Sequence, residues 1–310
     1  MRTISIGVPV RNEELNIPEL KATLSKVSFQ LEEMGFKVEI IINNNASQDN
    51  SLILLENWQA TDQRIKINHF EIGVSFQHSI LELMRSSSGD AFVIYQSDMQ
   101  DPADMIIDFV ERWQTTNKVV VGVIMKRNEK WRNSFFRKLF YYILRVSSDG
   151  KILIGFQDFY LLPRFAYENL SKLSPEGLFI RGHISTAYPE LEIFQYERID
   201  RKHGVSNFNF VQKYMLALDG ILLFGTRLIR LISLTSFTVF LLSTISGMII
   251  LCGYYMGFKG SSPGWTSLVL LFLLLTSMFG MIGSLILEYL LRIYRFLLLS
   301  DSNQSPKSVR

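Results

Sequence analysis

Short apolar runs rich in β-branched residues alternate with stretches of helical periodicity from the N-terminus to Met125. The short runs predict strands at Thr3–Val10, Lys37–Asn43, Arg64–His69, Ala91–Gln96 and Lys118–Met125. The stretches between them predict helices at Ile17–Met34, Asn50–Gln59, Val74–Arg85 and Ala103–Trp113. This alternation predicts an α/β fold in which a mostly parallel sheet carries helices on both faces.

The C-terminal part of the chain has a different pattern. Leu231–Phe258 and Thr266–Leu287 contain no Lys, Arg, Asp or Glu. At about 1.5 Å per residue, either run is long enough to cross a hydrocarbon core of about 30 Å. A buried helical hairpin of a soluble protein is the alternative, and the length of the uncharged runs favours two transmembrane helices, at about 231–258 and 266–290.

Flanking cations predict how these helices are oriented. The connector between them contains one cation, Lys259, whereas the outer flanks carry Arg227, Arg230, Arg292, Arg295, Lys307 and Arg310. Positive residues concentrate on the cytoplasmic side, so both termini are expected in the cytoplasm. The predicted organisation is a cytoplasmic domain at 1–210, a juxtamembrane amphipathic helix at 211–230, the two spans within 231–295, and a polar cytoplasmic tail at 296–310.

Two segments before the spans suit a membrane surface. Val211–Arg230 is mostly apolar with a few charges, which is typical of an interfacial helix. Trp131–Arg145 mixes cations with aromatic residues and suits anionic lipid, although an ordinary amphipathic helix on a soluble sheet has the same pattern.

Charge and composition exclude several classes of protein. The 310 residues are 48% hydrophobic and 20% charged, with 32 Lys and Arg against 29 Asp and Glu. A net charge of +3 is too small for a nucleic-acid binder that acts by counterion release. The single cysteine excludes a disulfide framework and a multi-cysteine zinc site. The chain also contains no dinucleotide-binding glycine pattern, no P-loop and no serine-hydrolase elbow.

Candidate chemistry lies in polar stretches that follow the predicted strands. In open parallel sheets, ligands bind beyond the carboxyl ends of the strands. Four stretches are placed there: Pro9–Glu14, Asn43–Asp49, Glu71–Ser75 and Gln96–Pro102.

Together these stretches resemble the motifs of family 2 glycosyltransferases, which have a GT-A, Rossmann-like fold. Pro9-Val-Arg-Asn-Glu13 resembles P-x-Y-N-E, Asn44–Ser51 resembles N-D-G-S-x-D-x-T, and Gln96–Pro102 resembles D-A-D-L-Q-D-P. Gln157-Asp158-Phe159 is similar to G-D-F, and Arg201–Phe208 is similar to R-x-x-G-x-S-K-[WY]. With the two uncharged runs, the resemblance is to the polyprenyl-phosphate branch, which includes dolichol-phosphate mannose synthase-like and bactoprenol glucosyltransferase-like proteins.

The resemblance implies an inverting transfer of a sugar from a nucleotide-sugar donor to polyprenyl phosphate (undecaprenyl or dolichyl). It implies catalytic roles for Asp98 and Asp158, and Mg²⁺ or Mn²⁺ held by Asp98, Gln100 and Gln96. The residues expected to bind the nucleotide sugar are Pro9, Arg11, Glu13, Asn45, Gln96, Ser97 and Asp98. Those expected to bind acceptor or phosphate are Arg201, Lys202, Ser206, Arg127, Arg132 and Lys138.

Helix caps are a separate expectation from the sequence. Asp49 is predicted to cap the helix that follows it rather than to contact the donor. Asp101 precedes Pro102, a residue suited to the first helical position, so Asp101 is predicted to cap the next helix.

Three positions depart from the family's pattern. Gln96 stands in place of the first aspartate of D-x-D, which removes one negative charge and weakens the predicted metal site. Asn45 stands in place of an aspartate that reads the base, so the preferred nucleobase stays open. Asn207 replaces a lysine and removes one phosphate-pairing charge.

These departures keep two alternatives open: a transferase of the same fold with another lipid or glycan acceptor, and a catalytically degenerate membrane scaffold subunit. The resemblance implies an integral protein of the bacterial inner membrane that serves cell-surface polysaccharide biosynthesis. No nucleic-acid partner is expected. Glycines within the two runs, among them Gly247 and Gly280, suit helix packing and homo-oligomer formation.

Overall fold

A computed structural model describes residues 1–124, 153, 155–175, 178–199, 226–256 and 264–301. Within these ranges the chain forms one seven-stranded sheet in the order β3-β2-β1-β4-β6-β5-β7. The strands are β1 Thr3–Val10, β2 Lys37–Asn45, β3 Ile65–Phe70, β4 Ala91–Ile94, β5 Val120–Ile124, β6 Phe156–Pro163 and β7 Glu192–Tyr196.

Helices cover both faces of the sheet. They are α1 Ile17–Glu33, α2 Ser51–Thr61, α3 Phe76–Ser86, α4 Met105–Thr116, α5 Arg164–Ser171 and α6 Ile180–Ala187, followed by α7 Thr226–Tyr255 and α8 Trp265–Asp301. Buried side chains of α1, α2 and α4 pack on one face with those of β1, whereas those of α3, α5 and α6 pack on the other. The predicted α/β fold with a mostly parallel sheet is confirmed.

Strand direction determines which residues meet at the functional edge. The pairs β1–β2, β1–β4 and β2–β3 are parallel, and so is β5–β7. Strand β6 lies between β4 and β5 and is antiparallel to both. The first residues of β6 therefore lie at the edge where β4 ends.

The predicted elements up to Met125 agree with the observed ones within three residues, and the largest difference is at the end of α4, Thr116 rather than Trp113. Strand β1 has the predicted bounds, and β2 extends two residues further, to Asn45. Strand β4 ends at Ile94, two residues earlier than predicted. Strands β6 and β7 lie beyond the predicted set and complete the sheet.

Close packing of α3 on the sheet requires a small residue in β1. A side chain at Gly7 would place its Cβ 2.5 Å from the Phe92 ring and 3.3 Å from Leu83 Cβ. Glycine at this position lets the buried Phe92 ring lie directly against the strand.

The C-terminal region confirms the prediction of membrane helices only in part. Among the described residues, one helical segment, Ser267–Leu290, is long and apolar enough to cross a membrane, and 11% of its most apolar window is buried. A second apolar segment, Leu234–Ile250, is shorter. Helix α8 continues to Asp301, so part of the predicted polar tail is helical. A side chain at Gly280 would lie 3.0 Å from the Ser236 hydroxyl, so α7 and α8 approach closely there. The two-span hairpin stays a prediction.

Candidate active site

The loops after β1 and β2 are joined by reciprocal hydrogen bonds; residues 11–14 and 45–51 are called the paired loops below. Asn12 N–H donates to Ser47 Oγ (3.0 Å), and Gln48 N–H donates back to Asn12 Oδ1 (2.7 Å). Glu13 N–H donates to Ser51 Oγ (2.9 Å), which is buried. Side chains of each loop thus satisfy backbone groups of the other.

Acidic side chains strengthen this connection. The Asp49 carboxylate accepts hydrogen bonds from Glu14 N–H (3.1 Å) and from Ser51 N–H (3.0 Å), the first residue of α2. Burial opposes ionisation of Asp49, yet the hydrogen bonds from Ser51 and Glu14 hold its pKa below the ordinary value. The N-cap of α2 is Asn50 rather than Asp49, which corrects the predicted cap, although the Asp49 carboxylate does accept from the first N–H of the helix. Glu13 is buried, and its carboxylate accepts from Asn16 Nδ2 (2.5 Å).

Asn45 connects the paired loops to the loop before α3. Its Nδ2 donates to Val74 O (2.9 Å), and its Oδ1 accepts from Val74 N–H (2.8 Å). A side chain at Gly73 would lie 3.5 Å from the Arg11 guanidinium, so Arg11 also lies against this loop. Asn45 therefore has a bracing role that the sequence did not indicate, and its predicted contact with the base stays a prediction.

Three residues other than glycine adopt left-handed backbone conformations at the ends of adjacent strands. They are Asn12 after β1 (φ 54°), Ala46 after β2 (φ 48°) and Met99 after β4 (φ 49°). This region is unfavourable for residues with a Cβ, and alanine, unlike asparagine, has no side-chain hydrogen bond to offset the strain. Strained backbone of this kind concentrates at functional sites.

The carboxyl end of β4 carries an acidic cluster, called the acidic edge below and made up of Gln96, Asp98, Asp101, Asp158, Arg181 and Arg198. Arg198 follows β7 and lies in the middle of the first three. Its Nη2 is 3.2 Å from Gln96 Oε1 and 3.8 Å from Asp98 Oδ2, and its Nε is 3.4 Å from Asp101 Oδ1. The Arg198 side chain is only 18% exposed, so these charges interact with little screening by solvent.

Asp101 is not a helix cap, which corrects the prediction from the sequence. The N-cap of α4 is Asp104, and Asp101 is buried, with its carboxylate accepting from the Tyr196 hydroxyl (2.5 Å). Burial raises the pKa of Asp101, and Arg198 and Tyr196 oppose that rise. The sequence failed here because both partners, Tyr196 at the end of β7 and Arg198 just after it, lie more than ninety positions away.

Asp158 lies near the start of β6, next to the end of β4. The Gln96 side chain donates to Asp158 O (3.5 Å), which links the two strands of the acidic edge. Arg181 of α6 approaches with its Nε 3.6 Å from Asp158 Oδ2, and its Nη1 donates to Phe156 O (3.0 Å). Asp158 Oδ1 is buried and has no hydrogen-bond partner among the described residues. This carboxylate oxygen therefore keeps unused hydrogen-bonding capacity in the described part of the chain.

A buried phenol lies beside this pair. The Tyr160 hydroxyl has no hydrogen-bond partner within the described residues, and burial, with a contribution from the nearby Asp158 carboxylate, raises its pKa well above the ordinary value. Tyr160 thus remains a neutral phenol at physiological pH.

The oxygen atoms near Asp98 are suitable in kind for a divalent cation. Asp98 supplies a carboxylate, and Gln96 and Gln100 supply amide oxygens, the hard ligands that Mg²⁺ and Mn²⁺ prefer. All three side chains already make hydrogen bonds: Gln96 Oε1 accepts from Arg198, Asp98 Oδ1 accepts from Gln100 N–H (3.3 Å), and Gln100 Nε2 donates to Ile199 O (3.3 Å). Among the described residues, no three His, Cys, Asp or Glu side chains cluster in a way that would hold a metal ion. The described residues thus offer a divalent cation one carboxylate, Asp98, together with the amide oxygen of Gln100, which is a weak set of ligands.

The remaining predicted residues are distributed as follows. Pro9 lies in β1 and pairs with Asn43 of β2, and Ser97 is buried three residues after the end of β4. The predicted acceptor-binding residues all lie outside the described ranges; they are Arg127, Arg132, Lys138, Arg201, Lys202 and Ser206. Asn207 and the segments 131–145 and 211–225 lie outside these ranges as well. Arg181, Tyr196 and Arg198 were missed by sequence reasoning, and the only local signal was a charged residue beside an apolar run.

Comparison with known proteins identifies the family. Residues 5–171, more than half of the chain, match the model of glycosyl transferase family 2. The chain belongs to this family. The match runs from β1 into α5, so it contains the paired loops, Asp98 and Asp158. The protein is therefore a glycosyltransferase.

Relatives extend the similarity along the whole chain. An uncharacterised glycosyltransferase of Bacillus subtilis, YkcC, is 31% identical and covers 94% of this chain and 89% of its own length. The bactoprenol glucosyl transferase of Shigella phage SfV is 29% identical, and the similarity covers 99% of this chain and 97% of the phage protein. The similarity to the phage protein extends over 99% of this chain and therefore includes helices α7 and α8.

A solved structure shares the fold. Glucosyl-3-phosphoglycerate synthase from Mycobacterium tuberculosis, crystallised with Mn²⁺, UDP-glucose and phosphoglyceric acid, has a TM-score of 0.51. It is 17% identical and covers 71% of this chain and 78% of its own. The GT-A fold is therefore shared.

Proposed function

We propose that this glycosyltransferase transfers a sugar from a nucleotide-sugar donor to polyprenyl phosphate at the cytoplasmic face of a membrane. One observation carries the proposal: Asp98, after β4, and Asp158, in β6, lie at the same edge of the sheet, where Gln96 donates to Asp158 O, in a chain that also has an apolar helix. The phage relative named for bactoprenol supports this choice of acceptor.

The proposed reaction is a single displacement with inversion at the anomeric carbon. An oxygen of the acceptor phosphate forms a bond to the anomeric carbon, while the bond from that carbon to the donor β-phosphate breaks. The nucleoside diphosphate leaves with the bonding electrons. Because the acceptor phosphate is already anionic at neutral pH, no strong base is needed to remove a proton.

Asp158 then acts by orientation. Its buried Oδ1 lacks a partner within the described residues, so it is suited to accept a hydrogen bond from a sugar hydroxyl. Arg181 limits the cost of burying the Asp158 charge. The result is a fixed carboxylate where the donor sugar and the acceptor phosphate would meet.

The nucleotide part of the donor is assigned to the paired loops and the loop before α3. Pro9, Arg11, Glu13 and Asn45 lie on or beside these loops, and Asn45 holds the loop near Val74 in place. Asp98 and Gln100, with Gln96, are the residues that would hold Mg²⁺ or Mn²⁺. Such a cation, when bound, neutralises charge on the leaving diphosphate.

The domain boundaries and the membrane topology belong to the same proposal. We propose a catalytic domain at residues 1–210, an interfacial helix at 211–230 and two spans within 231–295. Large apolar side chains are exposed along α8, including Leu268, Phe272 and Phe279. Lipid contact accounts for such exposure on a helix of this length. We infer an integral protein of the bacterial inner membrane with both termini in the cytoplasm.

Detergent-purified protein tests this proposal with labelled nucleotide sugars and undecaprenyl phosphate. We expect one donor to give label in the organic phase, with release of the nucleoside diphosphate, and an anomeric configuration opposite to that of the donor. Absence of a labelled lipid and of nucleoside diphosphate release with every donor would contradict it. Transfer only to a lipid-linked glycan or a glycolipid would replace the acceptor and keep the donor chemistry.

A further inference from the structure

Arg198 lies where the phosphates of the donor are expected to bind. Its guanidinium contacts Gln96, Asp98 and Asp101, and the first two belong to the predicted cation site. These contacts use Nε and Nη2. Among the described residues Nη1 has no such contact, so it can donate to a phosphate oxygen of the ligand. The fork of a guanidinium suits phosphate oxygens better than a single-point cation does.

The charges around the site favour the Arg198 guanidinium as the cation that faces the donor phosphates. The neutral Gln96 side chain accepts a hydrogen bond from Arg198 and leaves the positive charge of Arg198 in place. An aspartate at position 96 would form an ion pair with Arg198 and neutralise that charge. Asp101 is turned toward Tyr196 and is fully buried, so it holds the arginine rather than a solvent-exposed ion. Only Asp98 then remains as a carboxylate for a metal ion.

We propose that Arg198 binds the diphosphate of the nucleotide sugar and supplies positive charge at the position where a metal ion supplies it in a full D-x-D site. The nucleoside diphosphate therefore binds without a divalent cation, and a bound cation tightens it only modestly. This inference rests on the proposed function, because it concerns the same donor site. Under this proposal Arg198 binds phosphate, and Gln96 is the residue that makes nucleotide binding less dependent on a metal ion.

The test is calorimetric titration of the full-length protein in detergent with UDP, GDP, CDP and dTDP, each in EDTA, in Mg²⁺ and in Mn²⁺. We expect at least one nucleotide to bind in EDTA, within about tenfold of its affinity with metal. A tenfold change corresponds to about 1.4 kcal/mol. Binding that requires a metal ion would overturn the inference and leave the proposed function intact, whereas no binding of any nucleotide would overturn both.

Variants of Arg198 test the residue itself. Replacing Arg198 alone leaves the buried Asp101 unpaired, so Arg198→Gln is combined with Asp101→Asn, and Arg198→Lys is made as a second variant. In EDTA we expect the double variant to bind at least about tenfold more weakly and Arg198→Lys to fall between it and the unmodified protein. The control is Arg164→Gln, on the exposed start of α5, which should bind as the unmodified protein does. Unchanged binding in both Arg198 variants would overturn the inference.

Gln96→Asp tests the charge balance with a readout that does not involve activity. Binding of Mn²⁺ is measured by electron paramagnetic resonance of the free ion, without nucleotide. We expect Gln96→Asp to bind Mn²⁺ at least about tenfold more tightly than the unmodified protein, because it adds a second carboxylate beside Asp98. Equal Mn²⁺ affinity in the two proteins would contradict the role given to Gln96.

Discussion

The paired loops and the acidic edge form neighbouring parts of one site, and they are constructed in opposite ways. In the paired loops, neutral hydroxyls and backbone groups satisfy one another, as Ser51 Oγ and Glu13 N–H do. In the acidic edge, Asp158 and Asp101 each retain a buried oxygen without a hydrogen-bond partner among the described residues. Backbone groups of the first region are satisfied within the protein, whereas carboxylates of the second keep unused bonding capacity among the described residues. The paired loops should therefore contribute mainly to stability and the acidic edge mainly to activity.

The largest effect is expected from Asp98→Asn in the acidic edge. Removing this carboxylate weakens both the cation site and the placement of the donor phosphates, and turnover should fall about a hundredfold. The measurement is steady-state transfer of labelled sugar at saturating donor. Asp104→Asn, whose side chain is 74% exposed, is the matched control and should keep full turnover. Equal activities of the two variants would remove Asp98 from the site.

Breaking the pair of Arg181 and Asp158 should have the largest effect on stability. Arg181→Ala leaves a buried carboxylate without its cation, which costs about 3 kcal/mol in the free energy of unfolding. For a domain of this size that is roughly 6 to 12 °C in Tm, measured by thermal unfolding in detergent. Adding Asp158→Asn removes the buried charge and should restore part of the loss. A double variant no more stable than Arg181→Ala would show that the pair is not coupled.

Ser51→Ala tests whether the paired loops act through stability. It leaves the buried Glu13 N–H without an acceptor, and the free energy of unfolding should fall by about 1 to 2 kcal/mol. Turnover per folded molecule should change by less than about threefold, as judged by transfer activity below the Tm of the variant. A loss of turnover as large as that of Asp98→Asn would mean that the two regions do not divide these roles.

The smallest expected change is a gain in stability. Ala46 has a φ of 48°, a conformation that costs a residue with a Cβ about 1 kcal/mol, so Ala46→Gly should raise the free energy of unfolding by about that amount. Ala22→Gly, at an exposed position of α1, should lower it by about 1 kcal/mol. A decrease in Tm for both variants would contradict the strain assigned to Ala46.

The same contrast explains how far the sequence allowed prediction. The strands and helices up to Met125 follow apolar periodicity, and the paired loops are local to strand ends, so pattern and motif locate both. Arg181 and Arg198 join the acidic edge through α6 and β7, which are distant in sequence and carry no periodic signal. Strand β6 had a motif at Asp158, but its antiparallel insertion between β4 and β5 depends on long-range pairing. The role of Asp101 was predicted wrongly for the same reason, since Tyr196 and Arg198 come from β7 and the residues after it.

Transfer of labelled sugar to undecaprenyl phosphate by the unmodified protein, Asp158→Asn and Ser51→Ala, measured side by side, tests the central claim most directly. The account predicts a labelled lipid from the unmodified protein, about tenfold to a hundredfold less from Asp158→Asn, and nearly full transfer by folded Ser51→Ala. Asp158→Asn transferring sugar as fast as the unmodified protein would contradict the assignment of the chemistry to the acidic edge.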